Sequence, residues 1–257
     1  MSKFFTTFVA FFGIIMEKIT KAQVKLVKSL QQKKFRDELG LFVAEGEKCV
    51  SELAKTFELV HLFREGENAT RTEIEQMSGL RTPQGTIAVF KKTTNPLTTN
   101  PLTLCLDGVQ DPGNLGTIIR TCDWFGVHDI VCSKDTADCY NPKVVQATMG
   151  ALARVSVHYV DLPAWLEELK IKNYELKIFG TLLEGRDMYE SLSSIHPLPH
   201  SSIIIMGNEG NGISQEVRKL ITHPIRIPSY PKNAETSESL NVSIATAIVL
   251  AEFRRNR

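Results

Sequence analysis

The sequence lacks the cysteine arrangement of a metal site or of a disulfide framework. Its five cysteines are an odd number, and they include no Cys-x-x-Cys pair and no neighbouring His-x-x-x-His. This absence argues against structural zinc and against a small secreted fold held together by disulfides. We expect reduced thiols, no bound metal and a cytoplasmic protein.

The sequence also lacks an excess of either charge. Lys and Arg number 30 and Asp and Glu number 29, a net charge of +1, so the chain is not of the strongly basic type that binds nucleic acid. Any nucleic-acid contact must therefore depend on a local basic surface. Apolar residues make up 42% of the 257 positions and charged residues 23%. These values exclude a disordered chain, a collagen-like repeat and a coiled-coil rod, and they indicate one or two globular domains.

No apolar run reaches the roughly 20 residues that a membrane-spanning helix needs. The first segment, Met1 to Met16, resembles the core of a signal peptide but has no small-x-small cleavage site. We interpret residues 1–15 as a start-site extension, with Met16 as the natural initiator. An extra packed element and a membrane-targeting segment are the alternatives.

Residues 16–94 alternate between helical and strand patterns. Thr20 is placed to cap a helix over residues 21–32, whose apolar positions recur at near-helical spacing. The other expected elements are strands at 41–45, 59–63 and 86–90 and helices near 47–55 and 72–77. This order is typical of a small mixed α/β domain.

Two Asn-Pro steps lie between residues 91 and 101 and cannot continue a helix, so we expect a linker at 95–101. Beyond it, over 102–257, strands alternate with helices, and strands such as IIIM at 203–206 are wholly apolar. Such strands are typical of a parallel sheet covered on both faces, which binds ligands beyond the carboxyl ends of its strands. The expected strands are 102–106, 129–131, 155–160, 177–181, 203–206 and 225–227, and the expected helices are 114–125, 163–172, 214–220 and 241–254, with a further helix opening at Asn141 and Pro142.

Three strand-to-loop junctions have an unusual choice of residues. The first, LDGVQDPGNLGTIIR at 106–120, ends a strand in a turn, and Asn114 is placed to cap the helix that follows. Arg120 offers a planar fork of donors to a phosphate. A capped turn with a surface arginine explains the same residues equally well.

The second junction, MGNEGNGIS at 206–214, has the spacing Gly-x-x-Gly-x-Gly. This spacing fits neither a dinucleotide-binding turn nor a phosphate-binding loop. Three glycines in six residues indicate backbone pressed against a ligand or against another loop. The third junction, IPSYPKNAETSESLN at 227–241, leads into a helix that either Ser239 or Asn241 is suited to cap.

Together these segments resemble the three motifs of the SpoU/TrmH family of RNA 2′-O-ribose methyltransferases, within the SPOUT superfamily. The matching residues are Asn114-x-Gly116-x-x-x-Arg120, then Gly207-Asn208-Glu209-Gly210-x-Gly212, then Ile227-Pro228 with Ser239-Leu240-Asn241-Val242-Ser243-x-Ala245. Upstream, FVAEG at 42–46 looks like the family's small substrate-binding domain, which is similar to a ribosomal protein of mixed α/β fold.

The resemblance implies a fold, a cofactor and a reaction. The fold is an α/β methyltransferase domain with a parallel sheet and a C-terminal trefoil knot at 102–257, preceded by an RNA substrate-binding domain at 16–94. The cofactor is S-adenosylmethionine, and the reaction is methylation of a ribose 2′-hydroxyl in ribosomal or transfer RNA. The resemblance also implies a homodimer with its site near the twofold interface. Carried over by position, the cofactor residues are Thr181, Gly207, Asn208, Ile227, Pro228 and Leu240, and the catalytic set is Asn114, Arg120, Glu209, Ser239 and Asn241.

Methyl transfer of this kind needs no metal, but it needs the reacting atoms aligned and a weakly acidic proton removed. Alignment supplies about 7–11 kcal/mol in well-organised cases. A guanidinium is a poor base because its pKa lies above about 12. We therefore interpret Arg120 as a residue that binds phosphate and activates the hydroxyl, and we leave the base unassigned.

RNA contacts are expected from the lysine-rich segment at 17–36. Its basic residues are Lys18, Lys21, Lys25, Lys28, Lys33, Lys34 and Arg36, against Glu17 alone. Lys21, Lys25 and Lys28 recur on one helical face. A solvated helix face is the alternative, and phosphate binding would differ from it in a steep salt dependence.

The chain departs from the family pattern at two places. The loop from Ser229 to Glu238 has ten residues and no glycine where the family commonly has fewer residues and often a glycine, and Asn208 stands where a serine is common. The long loop is the one feature that favours another function, that of a non-catalytic RNA-binding or ribosome-assembly factor with the same fold.

Overall fold

The computed structural model describes residues 18–97, 101–195, 202–231, 237 and 239–255. The segment interpreted as a start-site extension lies outside the described residues, as do positions 98–100 of the expected linker and most of the 229–238 loop. Among the helices that the structure describes, none is long and apolar enough to cross a membrane.

The first part of the described chain forms an antiparallel sheet of three strands, with the order β1, β3, β2. Its elements are α1 (Lys21–Ser29), α2 (Lys33–Leu39), β1 (Leu41–Glu45), α3 (Glu47–Leu53), β2 (Leu59–Arg64), α4 (Arg71–Met77) and β3 (Thr86–Lys91). Thr20 caps α1 through the backbone N–H of Gln23, as the sequence predicts.

The helix expected over residues 21–32 is wrong in extent, because α1 ends at Ser29 and α2 begins at Lys33. Gln32 between them has extended backbone angles. The carbonyls left without a helical partner at the break are satisfied by one side chain, since Arg36 donates to Leu30 O and Gln31 O at 2.9 Å each. No local sequence pattern indicates this interaction.

The three-stranded sheet is buried on both faces. Along β1, Val43 packs into a core under α1 and α4, whereas Phe42 and Ala44 pack into the main core of the molecule. Ile87 and Ala88 of β3 divide between the two cores in the same way. Because successive strand side chains point to opposite faces, each strand contributes to two cores.

A parallel sheet of six strands forms the second part of the described chain, with the order β6, β5, β4, β8, β7, β9. Its elements are β4 (Leu102–Asp107), α5 (Pro112–Trp124), β5 (Asp129–Ser133), α6 (Pro142–Thr148), β6 (Ser156–Val160), α7 (Leu162–Lys172), β7 (Lys177–Asp187), α8 (Met188–Ser193), β8 (Ser202–Gly207), α9 (Gln215–Arg218), β9 (His223–Arg226) and α10 (Val242–Arg254). The predicted parallel sheet, preceded by a small mixed α/β unit, is confirmed.

In the second part of the chain, the N-cap residues predicted from the sequence are correct for two helices and wrong for a third. Asn141 caps α6 and Asn241 caps α10, so the choice between Ser239 and Asn241 falls on Asn241. Asn114 does not cap α5; Asp111 does, with its Oδ1 accepting from the backbone N–H of Asn114 at 2.8 Å. Pro at the first position of α5 is the sequence signal for this earlier start.

All five cysteines are buried and free. Burial raises the pKa of the Cys49 thiol to about 11 and that of the Cys139 thiol to about 12. These thiols are therefore neutral core residues at physiological pH.

Candidate active site

The carboxyl ends of four parallel strands meet at one edge of the large sheet. Asp107 at the end of β4 pairs with Gly207 at the end of β8, and Thr181 of β7 pairs with Ile225 of β9. Ile227 and Pro228 follow directly after β9. The predicted cofactor residues on these strands therefore lie along one crevice edge, where such sheets bind ligands.

The loop after β8 closes on itself. Asn208 and Gly212 exchange two backbone hydrogen bonds, of 2.9 and 3.0 Å. The side chain of Asn208 accepts from the N–H groups of Gly210 and Asn211 at 2.8 and 2.9 Å, and it donates to Gly108 O at 2.6 Å. Asn208 therefore fixes the shape of this loop and ties it to the loop after β4.

The three glycines of this loop have different physical reasons. A Cβ on Gly207 would lie 2.3 Å from the carbonyl carbon of Gly212 and 2.5 Å from the nitrogen of Ile213, so the backbone leaves no room for a side chain. Gly212 has φ +68°, which favours glycine. A Cβ on Gly210 would meet only the Oδ1 of Asn208, at 3.6 Å. Gly207 is therefore explained by the backbone of its own loop, whereas the sequence had suggested a ligand or another loop.

Sequence reasoning missed one anchor of this loop. The buried carboxylate of Asp107 accepts from the N–H of Ser214 at 2.7 Å, so the end of β4 holds the start of α9. An acidic residue that ends an apolar strand was the available signal, but its partner lies 107 positions away in the chain.

A chain of hydrogen bonds joins the three motifs. Nδ2 of Asn114 donates to Oε1 of Glu209 at 2.9 Å, and Nδ2 of Asn241 donates to Oδ1 of Asn114 at 3.0 Å. Oδ1 of Asn241 accepts from the backbone N–H and the hydroxyl of Ser243, at 2.9 and 2.6 Å. The backbone N–H of Gln110 donates to Oε2 of Glu209 at 3.5 Å.

This chain fixes the orientation of each group in it. Since Asn114 donates from Nδ2 and accepts at Oδ1, its amide has a single satisfied orientation. Asn114 is free to do this because Asp111, and not Asn114, caps α5. The structure therefore brings together three of the five predicted catalytic residues, one from each motif.

Arg120 and Ser239 are not part of this chain. Both are exposed, and Arg120 has no hydrogen bond or ion pair with any residue that the structure describes. With 1.5 Å and 100° per helical residue, Arg120 lies about 9 Å along α5 from Asn114 and about 120° around it. Within one chain, Arg120 therefore points away from the amide of Asn114.

The remaining predicted cofactor residues offer apolar and backbone surface. Ile227 and Pro228 are half-buried, and Leu240, which precedes the cap of α10, is 48% exposed. The hydroxyl of Thr181 is already used, because it donates to Ile205 O at 3.2 Å. No group of residues suited to a metal ion occurs in the described part of the chain.

The predicted RNA-binding residues separate into two groups. Lys18, Lys21, Lys25, Lys28, Lys33 and Lys34 are all exposed, and the structure gives none of them an ion pair with a described residue. We call these six side chains the lysine surface. Arg36 corrects the prediction: it is only 2% exposed and forms an ion pair with Asp138 at 2.7 Å. A buried, paired guanidinium is not available to an RNA phosphate.

Comparison with known proteins identifies the class. A family model described as the SpoU rRNA methylase family matches residues 101–251, and one described as an MRM3-like substrate binding domain matches residues 21–101. The chain belongs to the SpoU rRNA methylase family and is an RNA ribose-2′-O-methyltransferase. The resemblance and the enzyme class inferred from the three motifs are thereby confirmed.

Individual relatives are more specific. The chain is 31% identical over 254 residues to the 23S rRNA (guanosine(2553)-2′-O)-methyltransferase RlmP of Bacillus subtilis, covering 93% of this chain and 98% of that protein. It is 38% identical over 159 residues to the 23S rRNA (guanosine-2′-O-)-methyltransferase RlmB of Neisseria meningitidis, covering 61% of this chain and 59% of that protein.

Solved structures agree over nearly the whole length. A TrmH-family protein from Porphyromonas gingivalis is 36% identical, with a TM-score of 0.83 over 93% of this chain and 99% of that one. An AdoMet-bound rRNA methyltransferase from Sinorhizobium meliloti is 28% identical, with a TM-score of 0.79 over 93% of this chain and 96% of that one.

Proposed function

We propose that this enzyme methylates the ribose 2′-hydroxyl of a guanosine in large-subunit ribosomal RNA. The observation that carries the reaction is the hydrogen-bonded chain from Glu209 through Asn114 to Asn241, which assembles the three motifs at the crevice. The similarity to a 23S rRNA methyltransferase over almost the full length of both chains favours ribosomal over transfer RNA.

The crevice residues fit S-adenosylmethionine. The backbone around Gly207 leaves no space for a side chain, so a ligand at this position would contact backbone atoms. Ile227 and Leu240 supply apolar surface suited to a purine ring. We assign cofactor binding to Thr181, Gly207, Asn208, Ile227, Pro228 and Leu240. When bound, the cofactor supplies an electrophilic methyl group.

The catalytic groups of this chain position the ribose. Asn114 and Asn241 have fixed amide orientations, so the polar surface that they present to a nucleotide is preorganised. The amide of Asn114 and the backbone N–H of Gln110 hold the carboxylate of Glu209, so this carboxylate is part of the same polar surface. Ser239 lies two residues before the cap of α10 and extends this polar edge. Alignment of this kind is the main contribution that a protein makes to such a displacement.

Arg120 binds phosphate and activates the hydroxyl at the site of a partner subunit. Support comes from its direction on α5, away from Asn114 of its own chain. Support also comes from an exposed apolar side chain beside the site, since Ile244 of α10, three residues after Asn241, is 52% exposed. Trp124 at the far end of α5 is 85% exposed. Exposed apolar groups beside a site are typical of an interface, so we propose a homodimer.

The lysine surface binds the RNA backbone, and the C-terminal segment is threaded as a trefoil knot. The domain boundaries remain those expected from the sequence, 16–94 and 102–257 with a linker at 95–101. The enzyme acts in the cytoplasm.

Incubation of the purified protein with radiolabelled S-adenosylmethionine and with total RNA from cells that lack the gene tests this proposal. We expect label in 23S rRNA, at one nucleotide whose ribose carries a 2′-O-methyl group in cells that have the gene and none in cells that lack it. Label in transfer RNA alone would overturn the proposed substrate. The non-catalytic alternative predicts no label in any RNA and no heat in a calorimetric titration with the cofactor.

A further inference from the structure

Arg36 is the largest fully buried side chain of the described chain and the one arginine among those side chains. Its Nη1 donates to Leu30 O and Gln31 O at 2.9 Å each, and its Nε and Nη2 donate to Oδ2 of Asp138 at 3.1 and 2.7 Å. One planar guanidinium therefore joins the break between α1 and α2 to a loop of the methyltransferase part.

The loop that carries Asp138 is itself held firmly. Oδ1 of Asp138 accepts from the N–H of Tyr140 at 3.0 Å. The hydroxyl of Tyr159, on β6, accepts from Cys139 N at 2.7 Å and donates to Ala137 O at 2.6 Å. Asp138 is therefore a fixed point of the large sheet's edge and not the tip of a free loop.

Packing continues from this loop to the catalytic groups. Asn141, three residues after Asp138, caps α6. Helix α6 lies so close to α5 that a Cβ on Gly116 would be 2.4 Å from the Cβ of Ala147. Gly116 is two residues from Asn114 on α5, so the position of Asp138 and that of the catalytic amide are linked through one short helix.

On its other side Arg36 holds the elements that carry the lysine surface. Lys28 lies just before the break that Arg36 satisfies, and Lys33 and Lys34 lie just after it. The remaining contacts between the two parts include rings, such as Phe42 against Tyr140 with centroids 4.8 Å apart. Two exposed polar contacts also join the parts, since Arg154 pairs with Glu52 at 2.8 Å and the hydroxyl of Thr56 donates to Ala153 O at 3.0 Å. The fork of Arg36 differs from them because it is buried and directional and bonds the break that carries the lysines.

We infer that Arg36 is a positioning residue that sets the angle and distance between the lysine surface and the crevice. It thereby selects which nucleotide of an RNA held by the lysines reaches Asn114 and Glu209. This inference rests on the proposed function. A lysine at this position keeps the charge but has no fork that reaches both the carbonyls and the carboxylate.

Arg36→Lys and Asp138→Asn test the inference, with Arg71→Lys as a control because Arg71 forms exposed ion pairs with Glu65 and Glu75 in the same part of the chain. For each variant we measure the cofactor affinity, the RNA affinity and the nucleotide positions that are methylated. We also measure the single-turnover methylation rate at saturating RNA, expressed per cofactor-binding site. Normalising to cofactor-binding sites removes any loss of folded protein.

In both test variants we expect cofactor and RNA affinities within about twofold of the parent, because the crevice and the lysines are unchanged. We expect the turnover to fall by about tenfold or more, since displacement by about 1 Å costs up to about a hundredfold, and methyl groups to appear at neighbouring nucleotides. Arg71→Lys should match the parent. Parent-like turnover and position in both test variants would overturn the inference, and so would a loss explained entirely by fewer cofactor-binding sites.

A distance measurement separates this inference from the proposed function. Gln76→Cys on α4 and Glu167→Cys on α7 place spin labels on exposed sites of the two parts, and the five native thiols are buried. Labelled protein is diluted into excess unlabelled protein. Asp138→Asn should broaden or shift the distance distribution, whereas an unchanged distribution would overturn the inference even if the parent methylates no RNA. An inactive parent with a shifted distribution would instead contradict the proposed function alone.

Discussion

Asn241 donates a hydrogen bond to Asn114 at 3.0 Å, joining two amides that lie 127 positions apart in the chain. Asn114 lies in the first turn of α5 and Asn241 caps α10, and each amide has a second partner that fixes its direction. This contact therefore fixes the amides of the first and third motifs relative to one another.

Replacing Asn114 should impair catalysis without unfolding the protein. In Asn114→Ala, Glu209 and Asn241 both lose a side-chain partner, while Asp111 still caps α5 through backbone. We expect single-turnover methylation to fall by about a hundredfold, the cost of losing alignment. Asn211→Ala is the control, because only the backbone of Asn211 bonds within the loop. Equal rates in the two variants would contradict this role.

Removing the exposed guanidinium of Arg120 should abolish methylation and leave the rest intact. Because no described residue pairs with Arg120, Arg120→Ala should keep the melting temperature and the calorimetric cofactor affinity. Lys219→Ala, which removes an exposed cation on a different element, should keep full activity. Mixing Arg120→Ala with Asn114→Ala subunits gives a sharper check, since a site shared between subunits predicts partial recovery of activity.

Gly207 should tolerate no side chain. In Gly207→Ala the new Cβ would lie 2.3 Å from the carbonyl carbon of Gly212, so the loop must move. Overpacking of this kind costs about 1–3 kcal/mol, and we expect a lower melting temperature and weaker cofactor binding. In Gly210→Ala the nearest atom is 3.6 Å away, so the melting temperature should stay close to that of the parent. Similar melting temperatures for the two variants would show that the loop adapts.

The lysine surface should account for part of the salt dependence of RNA binding. Changing Lys21, Lys25 and Lys28 together to alanine removes three phosphate contacts, so the slope of log affinity against log salt should become shallower by about 2. Changing Lys48, Lys172 and Lys219 to alanine removes the same charge elsewhere and should leave that slope unchanged. The same slope in the two triple variants would favour a merely solvated helix face.

Local sequence patterns predicted the elements well because their causes are local. The short apolar runs of β1 and β3 indicated strands, and the alternation of helices with apolar strands such as β8 indicated a parallel sheet. Helix starts were harder when two good caps lie close together. Asp111 and Asn114 are both suited to cap α5, and the sequence signal that favours Asp111 is Pro112 directly after it.

Contacts between residues far apart in the chain could not be predicted from the sequence. Arg36 looked like one more cation of a basic segment, and its partner Asp138 lies 102 positions away. The same limit applies to Asp107 and Ser214. A charge pattern indicates how many cations a segment has, but burial and pairing depend on which distant residue folds against it.

The two-faced sheet formed by β1, β2 and β3 has a consequence for how such enzymes acquire new targets. If the first part of the chain were excised, Phe42, Leu62 and Phe90 would lose the core that covers them. This part therefore cannot be transferred to another methyltransferase unless that protein has a surface complementary to the sheet face that carries Phe42 and Phe90. A lineage that changes its RNA target should then do so by altering the outward residues of α1 and α2 while the hidden face of the sheet stays constant.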